Sequence, residues 1–458
     1  MIAMTCEATI ASGQLSPDQL LQLGTDRVKN NVRALRRLTC EEQTSREFYL
    51  PPKDASGATV KNGTANSSTP LPLPALLSAP LQDRKLLWND RLRVELSLFD
   101  GKDMFSWPDG GSFNSGSLDG LVTFGATLSG VLGAFDLSVL MSDADPTFFR
   151  YRQTVDGFGS KVAEYSYKVS SEKSHLIVPG PNGRRTVIPY EGFFLLDIST
   201  GDLRRLAVEL DELPDGGDLV QGAISTDYVL RPIADTPAFV PLASTMRLLF
   251  KNGQLAVNNM RYSNCHEFRA ESTLHFNSAP DVSGETKAKS IAQNLPPVPQ
   301  NRQLKLALDA PIDSDTAVTG DPIQAHVTKS VKGRDGRVVI PAGTIAHGRI
   351  LRLVRYAYPF DAVELILSFD ALKIGGSKVS VHLSPPEITE TPETRITASS
   401  PRSNPLLGAQ PAPIFVQHDK TQSTIAQADR KNGTGTFEFN HTNHIHLPRG
   451  HVTEWMIE

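Results

Sequence analysis

Between Thr186 and Leu210 (TVIPYEGFFLLDISTGDLRRLAVEL) an apolar run enters a Ser-Thr-Gly-Asp turn and returns as an amphipathic run. Two extended segments joined by residues that favour tight turns specify an antiparallel hairpin, and a hairpin with one greasy face must bury that face. The same period of two governs much of the chain. From Trp88 onward Leu92, Val94, Leu96 and Leu98 share one face while Arg91, Arg93, Glu95 and Ser97 share the other. Alternation returns at Ala163, Tyr165, Tyr167 and Val169, at Leu206, Val208 and Leu210, at Ile224, Thr226, Tyr228 and Leu230, and at Phe268, Ala270, Ser272, Leu274 and Phe276. Short turns such as Asn252-Gly253 join these runs, so the expected fold is mainly β, with one large antiparallel sheet. Its covers are an N-terminal helix and the apolar, glycine-dotted stretch from Leu118 to Met141, read as one or two lid helices.

The helix start is written in Ser16-Pro17-Asp18-Gln19, which supplies a capping serine, proline at the first helical position and a glutamine that can reach back. The helix is expected to run to about Leu38, with residues 39–50 as the first strand. Residues 1–15 are expected to be a flexible N-terminus. Residues 51–80 are polar and rich in Pro, Ala and Ser, and are expected to form a disordered insertion; the triplets at Asn62 and Asn66 match the glycosylation sequon, one that arises often by chance. The first domain thus spans 16–276. A polar linker at 277–302 ends in Pro296-Pro297-Val298-Pro299. A small β domain at 303–390, a barrel or sandwich, follows, then a low-complexity segment at 391–433, and strands at 434–458 that complete the small domain.

Length alone, 458 residues, calls for more than one core, and 34 glycines with 32 prolines favour short strands and turns. A formal charge of −4 gives no general attraction to nucleic acid, and no stretch is apolar enough for a transmembrane segment. The first fifteen residues lack the basic and apolar regions of a secretory signal.

The three cysteines, Cys6, Cys40 and Cys265, lack metal or redox spacing. A bridge, if one forms, pairs Cys40 with Cys265, since both lie in strand-like sequence and their long loop closure is worth about 3–5 kcal/mol; two unrelated buried thiols are the alternative. Five of the eleven histidines fall between His418 and His451, and an extended chain puts His444 and His446 on one face. These two are the weak metal candidates; only Glu454 offers a nearby carboxylate, so the solvated-strand reading is kept and no metal or other cofactor is assigned. Asp100, Asp103 and Asp109 near Trp107 could suggest a glycosidase pair, but turn chemistry explains them. No nucleophile elbow, P-loop or H-E-x-x-H is present.

Three segments carry a family resemblance: Tyr165-Ser166-Tyr167-Lys168-Val169, Tyr190 to Asp197 (YEGFFLLD), and Thr200 to Leu206 (TGDLRRL). With them, residues from about 27 to 276 resemble the outer-membrane lipoprotein carrier and sorting proteins, in a branch of uncharacterised exported bacterial proteins marked by Asp227-Tyr228 and a strand from Cys265 to Ser272. The resemblance implies an unclosed β-barrel, a curved half-barrel sheet lidded by helices, with a greasy cavity for acyl chains. Val339 to Thr344, followed by His347 to Ile350, is similar to the small β-barrel of TrbI-type conjugation-channel proteins. Both imply the cell envelope, hence a periplasmic or otherwise exported protein whose leader is missing because the start codon was placed late; a cytoplasmic location is the alternative.

The expected cavity wall is Leu92, Leu96, Tyr165, Phe194, Leu206, Tyr228 and Phe268, which either close as a dry core or stay open as a pocket. The expected function is non-enzymatic binding of a lipid, a lipoprotein acyl chain or an apolar segment of an envelope protein partner. The alternative is a structural or interaction component of an envelope assembly with no small-molecule ligand; a hydrolase comes third.

Overall fold

The computed structural model describes residues 15–34, 38–52, 73–78, 81–99, 102–110, 113–115, 118, 121, 139–140, 148–179, 185–210, 212–233, 236–267, 300–333, 335–385, 424–429 and 433–458. Phe268, the two sequons, Cys6 and most of the expected lid between Leu118 and Met141 lie outside them.

The run from Phe268 to Phe276 lies outside the described residues, and among those residues the alternating sequences become strands. In the first half these are β1 (Leu38–Tyr49), β2 (Leu86–Phe99), β3 (Lys102–Ser106), β4 (Asn114–Ser115), β5 (Arg150–Gly157), β6 (Ser160–Val169), β7 (Ile177–Pro179), β8 (Arg185–Val187), β9 (Tyr190–Asp197), β10 (Leu203–Leu210), β11 (Leu219–Ile233), β12 (Thr236–Phe250) and β13 (Leu255–Glu267). They pair antiparallel in the order β5-β6-β9-β10-β11-β12-β13-β1-β2-β3-β4, with β7 and β8 as a separate hairpin. Among the described residues β4 and β5 do not pair with each other, so the sheet stays unclosed.

Helix α1 (Pro17–Ala34) opens with reciprocal capping: Ser16 N donates to Gln19 Oε1 (3.0 Å) and Gln19 N to Ser16 Oγ (3.3 Å). It buries Leu20 and Val28 in the same core as the sheet's inner face. Asn31 fixes it to β12, donating to Phe239 O (2.9 Å) and accepting from Phe239 N (2.6 Å). The helix is shorter than its apolar spacing implies, because Leu38 already opens β1, where Leu38 to Tyr49 pair on both sides. Within the segment expected to be structureless, α2 (Leu73–Ser78) forms and seats Leu76 on Ala207 and Ala223, on the sheet's outer face.

The second half comprises β14 (Arg302–Leu308), β15 (Ile312–Asp313), β16 (Pro322–Val327), β17 (Val331–Lys332), β18 (Val338–Ile340), β19 (Ile345–Tyr356), β20 (Ala362–Ile374), β21 (Ser377–Ser380), β22 (Leu383–Ser384), β23 (Thr424–Asp429), β24 (Thr434–Asn440), β25 (His446–Leu447) and β26 (Val452–Ile457). Pairing runs β22-β26-β14-β16-β19-β20-β24-β23, around a second core that includes Leu306, Leu365, Leu367, Phe369 and Trp455. The two halves share one sheet: Trp88, Asn89 and Asp90 of β2 pair with Tyr356, Arg355 and Val354 of β19, and Val354 and Tyr356 enter the first core.

Candidate ligand-binding face

Strand register assembles the inner face into transverse rows. One row runs Tyr165, Phe194, Leu206, Thr226, Ser244, Met260, Thr44 and Leu92 across β6, β9, β10, β11, β12, β13, β1 and β2. Four of the seven expected wall residues, Tyr165, Phe194, Leu206 and Leu92, therefore lie in a single band. Leu96 is four residues along β2 from Leu92 and Tyr228 two residues along β11 from Thr226, and all six are buried in one cluster. Tyr165 stacks on Phe194 (centroids 5.3 Å apart, planes at 11°), and Phe149 meets Phe194 edge-on at 5.3 Å. The Tyr165 hydroxyl donates to Pro17 O at 2.7 Å, so the wall's aromatic end is tied to the start of α1.

The next row, Tyr167, Gly192, Val208, Ile224, Met246, Asn258, Arg46 and Asp90, is greasy at one end and charged at the other. At Gly192 a Cβ would strike Ala207 O and come within 2.9 Å of the Tyr167 hydroxyl, which donates to that same oxygen at 2.8 Å. Glycine is what lets the phenol cross the strand there. Arg46 and Asp90 form a buried two-pronged pair, with Nε donating to Oδ1 at 2.8 Å and Nη2 to Oδ2, beside the Trp88 ring. Four residues back along β1, Glu42 is 1% exposed and accepts from Thr44 Oγ1 at 2.7 Å. Burial, reinforced by Asp103 and opposed by the Thr44 hydroxyl, pushes its pKa up to about 7. Asp103, read from sequence as a turn residue, sits in β3 and is 4% exposed; Asp109 does occupy a turn, at φ 57°.

Polar Glu42, Thr44 and Arg46 were not legible as inner-face residues, because LTCEEQTSREFY has no contrast between its two faces. Their phase with Cys40 and Phe48, both buried, was the available signal. Cys40 is joined to Cys265 by a disulfide between β1 and β13.

The turn of the β9–β10 hairpin is held by Asp197. Burial alone would raise its pKa, but Ser199, Ser160 and Arg204 donate to the carboxylate and hold it well below the usual range. Gly201, at φ +72°, closes the turn beneath Leu23 of α1, and Arg27 pairs with Asp202.

His444 and His446 lie outside these rows, beside the β15 turn, whose Asp315 O accepts from Arg91 Nη2 of β2 at 2.6 Å. Their expected neighbour Glu454 instead pairs with Lys305 at 2.6 Å. The carboxylates that do reach them come from the β15 turn: His444 Nε2 lies 3.0 Å from Asp313 Oδ1 and 3.6 Å from Asp315 Oδ2, and His446 Nδ1 lies 3.1 Å from Asp313 Oδ2. The Asp315 amide, with the two imidazoles, holds the Asp313 carboxyl down at about 2.

A cleft of about 450 Å³ also opens on the outer face, lined by Phe148, Arg150, Arg152, Lys168, Glu191 and Phe193 among others.

No family model matches the sequence, and no curated protein matches it. Among solved structures, the chain is similar to a LolA-superfamily protein from Nitrosomonas europaea (9% identity, 56% of this chain and 94% of that one, TM-score 0.23). It is also similar to a putative outer membrane lipoprotein-sorting protein domain from Vibrio parahaemolyticus (11%, 60% and 98%, 0.21) and to a DUF1329 family protein from Desulfovibrio piger (10%, 56% and 97%, 0.23). The first two belong to the class the sequence resembles.

Proposed function

We propose that this chain is a non-enzymatic binding protein of the cell envelope, whose half-barrel takes up an acyl chain or an apolar partner segment along its inner face. The supporting observation is a row with Tyr165, Phe194 and Leu206 at one end and Leu92, with Leu96 beyond it, at the other, linked through Met260 across Thr226, Ser244 and Thr44, on a sheet whose end strands do not meet among the described residues. An unclosed sheet can splay at its end strands without breaking a hydrogen-bond ladder, which a closed barrel cannot. The Cys40–Cys265 disulfide supports an exported location, since such bonds persist in oxidising compartments. No described helix is long and apolar enough to cross a membrane.

Titration of delipidated full-length protein with a fluorescent fatty acid tests this reading. Saturable binding, weakened at least tenfold by Leu206→Asp in protein that still folds, is the expected result. Absence of saturable binding would leave the structural reading, in which the half-barrel is a scaffold and the second half docks to an envelope partner.

A further inference from the structure

We propose that Asp313, Asp315 and His444 form a divalent-metal site suited to Zn²⁺, with His446 positioning Asp313. The ligands come from two segments about 130 residues apart in sequence, which β15 and β25 bring side by side through Ile312 opposite Leu447 and Asp313 opposite His446. One ligand atom from each of Asp313, Asp315 and His444 lies within 4.8 Å of the others. Zinc bonds to imidazole nitrogen and carboxylate oxygen of about 2.0–2.2 Å place neighbouring ligands of a tetrahedron roughly 3.3 Å apart. The His444 Nε2 separations, 3.0 Å to Asp313 Oδ1 and 3.6 Å to Asp315 Oδ2, bracket that edge. The third edge, between the two carboxylates, is at most 4.8 Å, so an ion would draw the Asp315 carboxylate towards Asp313.

The surroundings hold each ligand in place. His446 Nδ1 takes the second oxygen of Asp313, and Arg355 Nη2 takes the second oxygen of Asp315 at 2.7 Å, which leaves Asp315 Oδ2 turned towards His444. Between them Ser314 ties the two segments together: its amide donates to Ile445 O (3.0 Å) and its hydroxyl accepts from Ile445 N (3.0 Å). Arg355 and Arg91, the latter donating to Asp315 O at 2.6 Å and Ser314 O at 3.3 Å, offset the two carboxylates, so selectivity at the site comes from its ligand set and not from excess negative charge. The mixed nitrogen and oxygen set favours zinc over magnesium or calcium, which prefer oxygen alone. Three protein ligands leave one position for water, and the ion would staple the β15 turn to the segment leading into β26.

The test uses full-length protein without a histidine tag, stripped with chelator and titrated calorimetrically with Zn²⁺. One saturable site is expected. His444→Ala and Asp315→Asn should each abolish it, and His446→Ala should weaken it about 10–100-fold. Both histidines are about half exposed, so these variants keep the fold, as circular dichroism would check. Saturating Zn²⁺ should also raise the Tm of the parent protein and not of His444→Ala. No saturable binding by the parent protein, or binding undiminished in His444→Ala, would overturn the assignment. Neither outcome bears on acyl-chain binding.

Discussion

At the scale of single residues, the inner face is set by side chains whose chemistry conflicts with their surroundings. Glu42 is the clearest case. A carboxyl whose pKa rises from 4.5 in the unfolded chain to about 7 in the fold favours the protonated folded form. Its contribution to stability is complete below pH 4.5 and is lost as pH rises to about 7. Glu42→Gln should therefore flatten that part of the stability profile and leave the variant more stable than the parent above pH 7, in urea denaturation across pH; an unchanged slope would show that Glu42 ionises freely. Gly192→Ala should cost about 1–3 kcal/mol by overpacking against Ala207 O and displacing the Tyr167 hydroxyl, read as a lowered denaturant midpoint. Leu92, Leu96 and Tyr165 were legible as partners because each alternates with polar neighbours, and Phe194, Leu206 and Tyr228 because they fall in the same hairpin-forming runs. Arg46 and Asp90 were not, since a buried ion pair leaves no periodic trace until register places the two opposite each other.

At the scale of elements, local chemistry and tertiary packing divide the work. The cap at Ser16 could be read directly, because it is satisfied within four residues, whereas the end of α1 could not, because β1 competes for Leu38 and has two partner strands to reward it. Helix α2 was hidden for a related reason: its six residues carry no periodic signal of their own, and they are held by small Ala207 and Ala223 on distant strands. The turn between β9 and β10 is local again. Asp197→Ala should destabilise by about 2–3 kcal/mol, because it removes hydrogen bonds to a buried charge and leaves Arg204 without that partner, measurable by chemical denaturation. Replacing both cysteines with serine should cost about 2–5 kcal/mol by freeing a 225-residue loop, with the same comparison made under reducing conditions expected to abolish the difference.

At the scale of the whole molecule, β2 binds the two halves into one structure, which a reading by linkers and composition does not reveal. Its Trp88 end pairs with β19 while its later residues face the inner band. Sharing a strand should make the halves unfold together: in a Trp88→Phe, Trp107→Phe background, fluorescence from Trp455 in the second core should follow the same urea transition as far-UV circular dichroism, and separate midpoints would contradict it. The central claim concerns where an acyl chain lies. A fatty acid carrying a photoreactive diazirine in its chain, crosslinked to full-length protein and mapped by mass spectrometry, is expected to label inner-face residues of β2, β6, β9, β10 and β11, with labelling suppressed by excess unlabelled fatty acid. Labels confined to the outer face or to the second half would contradict the account.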